Sequence, residues 1–263
     1  MAYGGYSYID FKYHPHRDDF VVLFWVKGTL PIEKLAEGIA GESSVGSWTK
    51  LATMNDFVWK HYRARVFRIE KVGAKAGLVW IAYPIEHFDV KNLMQFEASV
   101  LGNIFGLKEL DELYVHDISI PKKYQKQFKG PALGTEGIRK LAGTEKSRRP
   151  HIGTIVKPKV GLAPGEWAHV AYEAFMGGLD LVKDDENLVD QKFCRWDDRL
   201  HETMKVIEKA EKETGEPHLY SCNVTDRYSR MVERIEKLHD MGAEKNVLVM
   251  LDVHLLGPSS LLD

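Results

Sequence analysis

Two lysine-centred stretches carry residue types that could do chemistry. One is Lys157-Pro158-Lys159, which follows the apolar run 152–156. The other is Lys183-Asp184-Asp185-Glu186, which follows the run 179–182. Strand-like residues that stop at a cluster of charge are what a β/α unit shows where its strand delivers side chains into an active site. A lysine beside three carboxylates also reads as a solvated strand end, because most short charge runs lie on the surface. If the two runs are adjacent parallel strands, Lys157, Lys159 and Lys183 converge. Three ammonium groups together need carboxylates, a metal ion or an anionic ligand to neutralise them. Asp185 and Glu186 offer the oxygen ligands that suit a hard cation such as Mg²⁺.

The elements that must position these groups begin near His151. Strands are expected over 152–156, 179–182, 219–224 and 246–252, with helices over 164–175, 196–213 and 227–241 between them. Alternating strands and helices imply parallel strands with right-handed crossovers. Polar residues at the strand ends (Lys157, Lys183, Asn223, Asp252) favour a (β/α)8 TIM barrel, whose chemistry gathers at those ends. Four units make half a barrel, and its first and fourth strands then expose pairing edges. An open doubly wound sheet is the other arrangement that this count allows.

Residues 1–130 read differently. Alternation over 6–13 and a buried-strand pattern over 20–26 are followed by a helix over 31–40 with Pro31 in its first turn. Strands over 62–69 and 77–84, a helix over 90–101 and a strand over 113–120 complete an α+β, ferredoxin-like order with helices on one face of an antiparallel sheet. His14-Pro15-His16 has two potential metal ligands, but Pro15 and the flanking charges favour a turn. Residues 131–150 read as a linker with a short helix, its basic stretch Lys146-Ser147-Arg148-Arg149 being a solvated connection. The domains expected are therefore 1–130, the linker 131–150, and a partial barrel over 151–263.

Composition excludes several function classes. The 263 residues carry a formal charge of −2 and are 44% hydrophobic. That charge gives no general attraction to nucleic acid or to an anionic membrane. The longest apolar run, 20–26, is far too short to span a bilayer, and the N-terminus lacks the basic start and apolar core of a signal peptide. Cys194 and Cys222 are expected to be free thiols in a reducing cytoplasm.

Thr154-Ile155-Val156-Lys157-Pro158-Lys159-Val160-Gly161-Leu162, taken with Gly178-Leu179-Asp180-Leu181-Val182-Lys183-Asp184-Asp185-Glu186-Asn187, resembles the large subunit of ribulose-1,5-bisphosphate carboxylase/oxygenase (Rubisco). Ile155-Val156 before Lys157 and the compact N-terminal part resemble the archaeal form III branch. Gly41-Glu42-Ser43-Ser44-Val45-Gly46-Ser47-Trp48-Thr49 and Gly102-Asn103-Ile104-Phe105-Gly106 are similar to further family signatures.

The resemblance implies a Mg²⁺-dependent enzyme that fixes CO₂ through an enediolate of ribulose 1,5-bisphosphate and gives 3-phosphoglycerate, with O₂ as the competing substrate. It implies that Lys183 takes up a non-substrate CO₂ as a carbamate and binds Mg²⁺ with Asp185 and Glu186. Lys157 would transfer protons during turnover, with Lys159 its neighbour. Asn223 and Asp252 match strand-end residues that line the family's site or serve as structural hydrogen-bonders. The family is a homodimer or a higher oligomer of dimers, in which Glu42, Ser47, Trp48 and Asn103 complete the partner's site. Ser47 and Trp48 would touch a substrate phosphate, and Asn103 the metal-bound intermediate. Ser47 stands where plant-type members have threonine. Family members continue beyond Asp263 with a fifth-strand histidine, a mobile-loop lysine and a second phosphate site, so this form alone is expected to turn over little. The alternatives are a Rubisco-like enolase or isomerase, and a non-catalytic assembly piece.

Overall fold

In a computed structural model of the chain, residues 6–47 and 49–258 are described; Trp48 lies outside them. Two compact units divide the chain, Met1–Lys129 and Gly130–Asp263. No helix among the described residues is long and apolar enough to cross a membrane.

In the first unit, strand β1 (Phe20–Gly28) buries Phe20, Val22, Phe24 and Val26 on one face, the two-residue period of a strand against a core. Helix α1 (Ile32–Glu42) presents Ile32, Leu35, Ala36, Ile39 and Ala40 to the same core, at helical spacing. Helix α2 (Asp56–Tyr62) starts where Asn55 Oδ1 accepts from Val58 N at 2.9 Å. Strands β2 (Arg65–Lys71) and β3 (Ala76–Tyr83), helix α3 (Leu93–Val100), strand β4 (Leu110–Ser119) and the single turn α4 (Lys122–Gln125) follow. The sheet order is β2-β3-β1-β4, antiparallel throughout, the ferredoxin-like split βαβ arrangement. Phe20 anchors the start of β1, with ring centroids 4.7 Å from Phe88, 4.7 Å from Phe96 and 4.8 Å from Tyr124.

Two expectations for this unit are corrected. Residues 6–13 form no strand; only Ile9 pairs, in an isolated parallel bridge to Val66. Their alternation arises because Tyr8 is fully buried, and a single buried anchor beside the sheet edge mimics a strand's period. Glu42, read as part of a loop, closes α1 instead. Between the two histidines and β1 the chain does turn: Asp19 Oδ2 accepts from His16 N at 2.8 Å and from Tyr13 Oη at 2.5 Å.

The second unit opens with α5 (Gly134–Leu141) and then alternates: β5 (Gly153–Ile155), α6 (Pro164–Met176), β6 (Leu181–Lys183), α7 (Trp196–Thr214), β7 (Leu219–Asn223), α8 (Tyr228–Asp240), β8 (Val247–Met250) and the turn α9 (Val253–Leu256). The sheet is β5-β6-β7-β8, all parallel, and among the described residues β5 and β8 each lack a second neighbour. Helix α7 ends on Gly215, whose φ of 75° is a left-handed cap that glycine adopts without strain. Trp167, Phe175, Val182, Leu200, Tyr220 and Cys222 fill the core between sheet and helices. Both cysteines are free and buried, and burial pushes the Cys222 thiol up to about 12.

The basic stretch before β5 is not simply solvated. Arg148 forms a two-pronged pair with Glu136 at 2.6 and 2.9 Å. Arg149 does the same with the buried Asp180, at 2.8 and 2.5 Å, and Ile152 N donates to the same carboxylate at 2.8 Å. The Arg149 bond, with the Ile152 amide helping and burial opposing, holds the Asp180 carboxyl below its ordinary value. A depressed folded-state pKa means that the contribution is complete above the unfolded value of about 3.9 and is lost as pH falls through the lower folded one. Urea titrations of Asp180→Asn should therefore show lower stability than the parent at neutral pH. The gap should close as pH falls from about 4 downward; a gap that does not narrow in acid would refute the assignment.

Candidate functional site

The parallel register sets Ile155, Lys183 and Ser221 side by side. Strand β6 ends on Lys183, and β5 ends two residues before Lys157, so both lysines leave the sheet at its carboxyl end. There Lys157 Nζ lies 2.5 Å from Asp185 Oδ2, and Lys183 Nζ lies 2.5 Å from Glu186 Oε1 and 2.9 Å from the Asp184 carbonyl oxygen. Asn187 donates to the other Asp185 oxygen from both its backbone (3.0 Å) and its side chain (2.9 Å). Four of the five chemistry-bearing residues of this unit thus gather as two ion pairs, one between the ends of β5 and β6 and one local to the loop after β6. Lys159, the fifth, is exposed and joins neither pair.

The electrostatics follow from these contacts. Burial would raise the Asp185 carboxyl, whose side chain is 6% exposed. The bonds from Lys157 and Asn187 outweigh burial and hold it well below the carboxylate range. Lys183 lowers Glu186 in the same sense. Both carboxylates are therefore anionic near neutral pH and open to a cation in place of an ammonium group.

The third carboxylate does something else. Asp184 is fully buried and bidentate with Arg199, Nε to Oδ1 at 3.0 Å and Nη2 to Oδ2 at 3.2 Å. Tyr220 Oη (2.7 Å) and Asn223 N (2.9 Å) also donate to it. Burial pushes its carboxyl upward against those donors. For Arg199, burial alone would favour the neutral form, but Tyr220 and Asp184 more than offset it and keep the guanidinium charged. Arg199 continues to the carbonyl oxygens of Val189 (3.0 Å) and Cys194 (3.3 Å). Helix α7 carries this arginine on its buried stripe, with Trp196, Leu200, Thr203 and Ile207. An arginine at a core-facing position calls for a partner inside; that signal was present in the sequence and pointed to a buried carboxylate, which the structure shows to be Asp184.

Asn223 and Asp252 take structural bonds. The Asn223 side chain is turned toward the 185–188 loop, within 3.1–3.4 Å of three of its carbonyl oxygens. Asp252 lies two residues past the end of β8, as Lys157 does past β5, and its carboxylate caps α9 by accepting from His254 N at 3.0 Å.

In the first unit, Glu42 ends α1, and Ser47 follows a tight exit from that helix. Gly46 N donates to Gly41 O at 2.9 Å. A Cβ on Gly46 would come within 2.2 Å of Tyr8 Oη and 2.9 Å of Gly41 Cα, so this approach of Ser47 requires glycine. Asn103 is exposed at the head of a 3₁₀ turn, Asn103–Gly106.

Residues 7–124 match the family model of the ribulose bisphosphate carboxylase large chain, N-terminal domain, and residues 137–262 match that of its catalytic domain. The chain belongs to the ribulose bisphosphate carboxylase large-chain family. Among Rubisco relatives, the ribulose bisphosphate carboxylase of Methanocaldococcus jannaschii is 43% identical over 258 residues, which are 97% of this chain and 59% of that protein. That of Methanosarcina mazei is 45% identical over 250 residues, 94% of this chain and 56% of that one. The solved dimeric archaeal Rubisco from Hyperthermus butylicus superposes with a TM-score of 0.88 at 41% identity, covering 97% of this chain and 58% of its own. The octameric Rubisco from Pyrococcus horikoshii, solved as a sulfate complex, gives a TM-score of 0.88 at 37% identity, with the same coverage of 97% and 58%. The chain thus spans under three fifths of the length of these Rubisco relatives.

Membership of this family raises the question of a metal. Among the described residues no three His, Cys, Asp or Glu side chains gather as they would around an ion. Asp185 and Glu186 supply two hard oxygen donors, and the third neighbour, Lys183, is a cation. The set fits Mg²⁺ once that amine becomes an anionic oxygen donor, as a carbamate does.

Proposed function

We propose that this chain carries the CO₂-activated Mg²⁺ site of a ribulose-1,5-bisphosphate carboxylase/oxygenase. The observation that supports this reading is the pair of lysine–carboxylate contacts, Lys157 to Asp185 and Lys183 to Glu186, at the carboxyl ends of β5 and β6 in a member of that family. Lys183 loses a proton to solvent, and its neutral Nζ forms a bond to the carbon of CO₂. The electron pair of one C–O π bond moves onto oxygen, and the second proton leaves nitrogen. A cation is thereby replaced by an anionic oxygen donor beside Asp185 and Glu186. Bound there, Mg²⁺ supplies Lewis-acid polarisation of a substrate carbonyl. Asp185, released from Lys157, would serve with Glu186 to hold the ion. Lys157, then unpaired, holds a proton at Nζ for exchange with the substrate, and Lys159 adds positive charge for the phosphates.

The substrates of this reading are ribulose 1,5-bisphosphate with CO₂ or O₂, and the product of carboxylation is 3-phosphoglycerate. The assembly is a homodimer or an oligomer of dimers in the cytoplasm; the solved relatives described above are dimeric and octameric. In that assembly Glu42, Ser47, Trp48 and Asn103 of one copy serve the substrate bound by the other. Supplying ¹³CO₂ and Mg²⁺ to the chain should give a carbamate carbon resonance that requires both additions. Its absence would overturn the reading.

A further inference from the structure

Asn223 is fully buried at the end of β7, and every polar group it owns is committed. Its backbone N donates to Asp184 Oδ2 at 2.9 Å, and its carbonyl accepts from Trp196 Nε1 at 3.0 Å. Its Oδ1 accepts from Thr225 N at 3.0 Å. A backbone amide can only donate, so this bond fixes which way the side-chain amide points. The NH₂ group then faces three backbone carbonyls of the acidic loop: Leu188 at 3.1 Å, Glu186 at 3.3 Å and Asp185 at 3.4 Å. Two hydrogens shared among three acceptors tie down the carbonyls of both candidate metal ligands and of Leu188 just beyond them.

Other bonds hold the same loop from its other sides. Asn187 N and Leu188 N donate to Asp185 Oδ1 and to the Asp185 carbonyl at 3.0 and 2.9 Å. Arg199 holds Val189 O, and Asp190 Oδ1 accepts from Trp196 N at 3.0 Å. None of these anchors uses a side-chain oxygen of Glu186, and Asp185 gives up only one of its two. The loop is therefore fixed through its backbone, and Asp185 Oδ2 and Glu186 Oε1 are held only by the lysines that a cation would replace.

We propose that Asn223 is a positioning residue: it sets the backbone of the Asp185–Leu188 loop before any cation arrives, so that Asp185 and Glu186 are already arranged for the ion. The proposal rests on the Mg²⁺ reading above for the identity of the ion. Partners of this kind, one bond removed from a metal, typically alter its affinity by about 10–100-fold. An asparagine suits the task because its amide gives two donors without adding charge next to three carboxylates.

The test titrates the ¹³C carbamate signal of the chain with Mg²⁺ at fixed CO₂. Asn223→Ala should raise the Mg²⁺ concentration for half-maximal signal by about 10–100-fold. Asn223→Ser, whose hydroxyl cannot span to the loop carbonyls, should move it the same way. Cys222→Ala, which thins the core one residue away, should lower the melting temperature and leave that midpoint unchanged. A midpoint within twofold of the parent in a folded Asn223 variant would overturn the proposal. If neither variant folds, hydrogen exchange on the parent decides. The Asn187 and Leu188 amides should be protected without metal, and exchange there at the rate of a free peptide would overturn it. A parent that gives no carbamate signal would remove the Mg²⁺ reading alone, and the exchange measurement would still judge the positioning.

Discussion

Lys183→Arg is expected to abolish the Mg²⁺-dependent carbamate signal while leaving the fold intact. Lys183 stands at the end of β6 with its side chain 24% exposed, and its contacts are Glu186 and the Asp184 carbonyl. A guanidinium can make both contacts, and it keeps the charge that Glu186 neutralises. What it cannot do is give up a proton near neutral pH to become a nucleophile. Charge and packing are thus preserved and only the chemistry is removed. Lys205→Arg on the exposed face of α7, where Lys205 pairs with Glu202, is the control and should keep the signal. Retention of signal in Lys183→Arg would place the carbamate on a different lysine.

The largest stability effect is expected at Arg199→Met. Both Arg199 and Asp184 have side chains that are 0% exposed, so removing the guanidinium strands a carboxylate in the core. Tyr220 and the Asn223 amide remain as donors but bring no charge. Breaking a buried pair from one side costs about 3–5 kcal/mol, which lowers a thermal midpoint by roughly 10 °C or more in a unit of this size. Combining Arg199→Met with Asp184→Asn removes both charges and should recover about 1 kcal/mol or more relative to the sum of the single changes. Urea denaturation of the four proteins measures this. A cost below about 1 kcal/mol for Arg199→Met would mean that Asp184 is neutral in the fold.

These two residues also show where the sequence could and could not be read. Helix α7 and the strands around it were legible because apolar periodicity is a local property, and β6 and β7 came within two residues of their expected bounds. Lys183, Asp185 and Glu186 could be singled out as candidates because all three stand within four residues of sequence. Asp184 sits in the same run and looks the same, yet it faces the core. A strand alternates its side chains, and past its end a loop sends neighbouring residues to opposite sides. Only the partner, Arg199, reveals which way Asp184 turns. Asn223 was read either as lining a site or as a structural hydrogen-bonder, and its amide is spent on loop carbonyls; residue type alone does not say which polar group it meets. The alternation over 6–13 failed for the opposite reason. Its pattern was strand-like, but it lacks the ladder of partners that makes a strand, and pairing is a long-range fact.

The side chains that fix the acidic loop lie close together along the chain. No bond from Arg199, Tyr220 or Asn223 to the residues 184–189 joins positions more than 39 apart. Contacts of short sequence separation close early, because little loop entropy has to be overcome first. During synthesis the ligand loop can therefore take its final form soon after β7 has left the ribosome, before β8 has emerged from it. The site's geometry is then a local inheritance of β6, α7 and β7, and a destabilised β8 should slow assembly of the sheet without delaying formation of the loop.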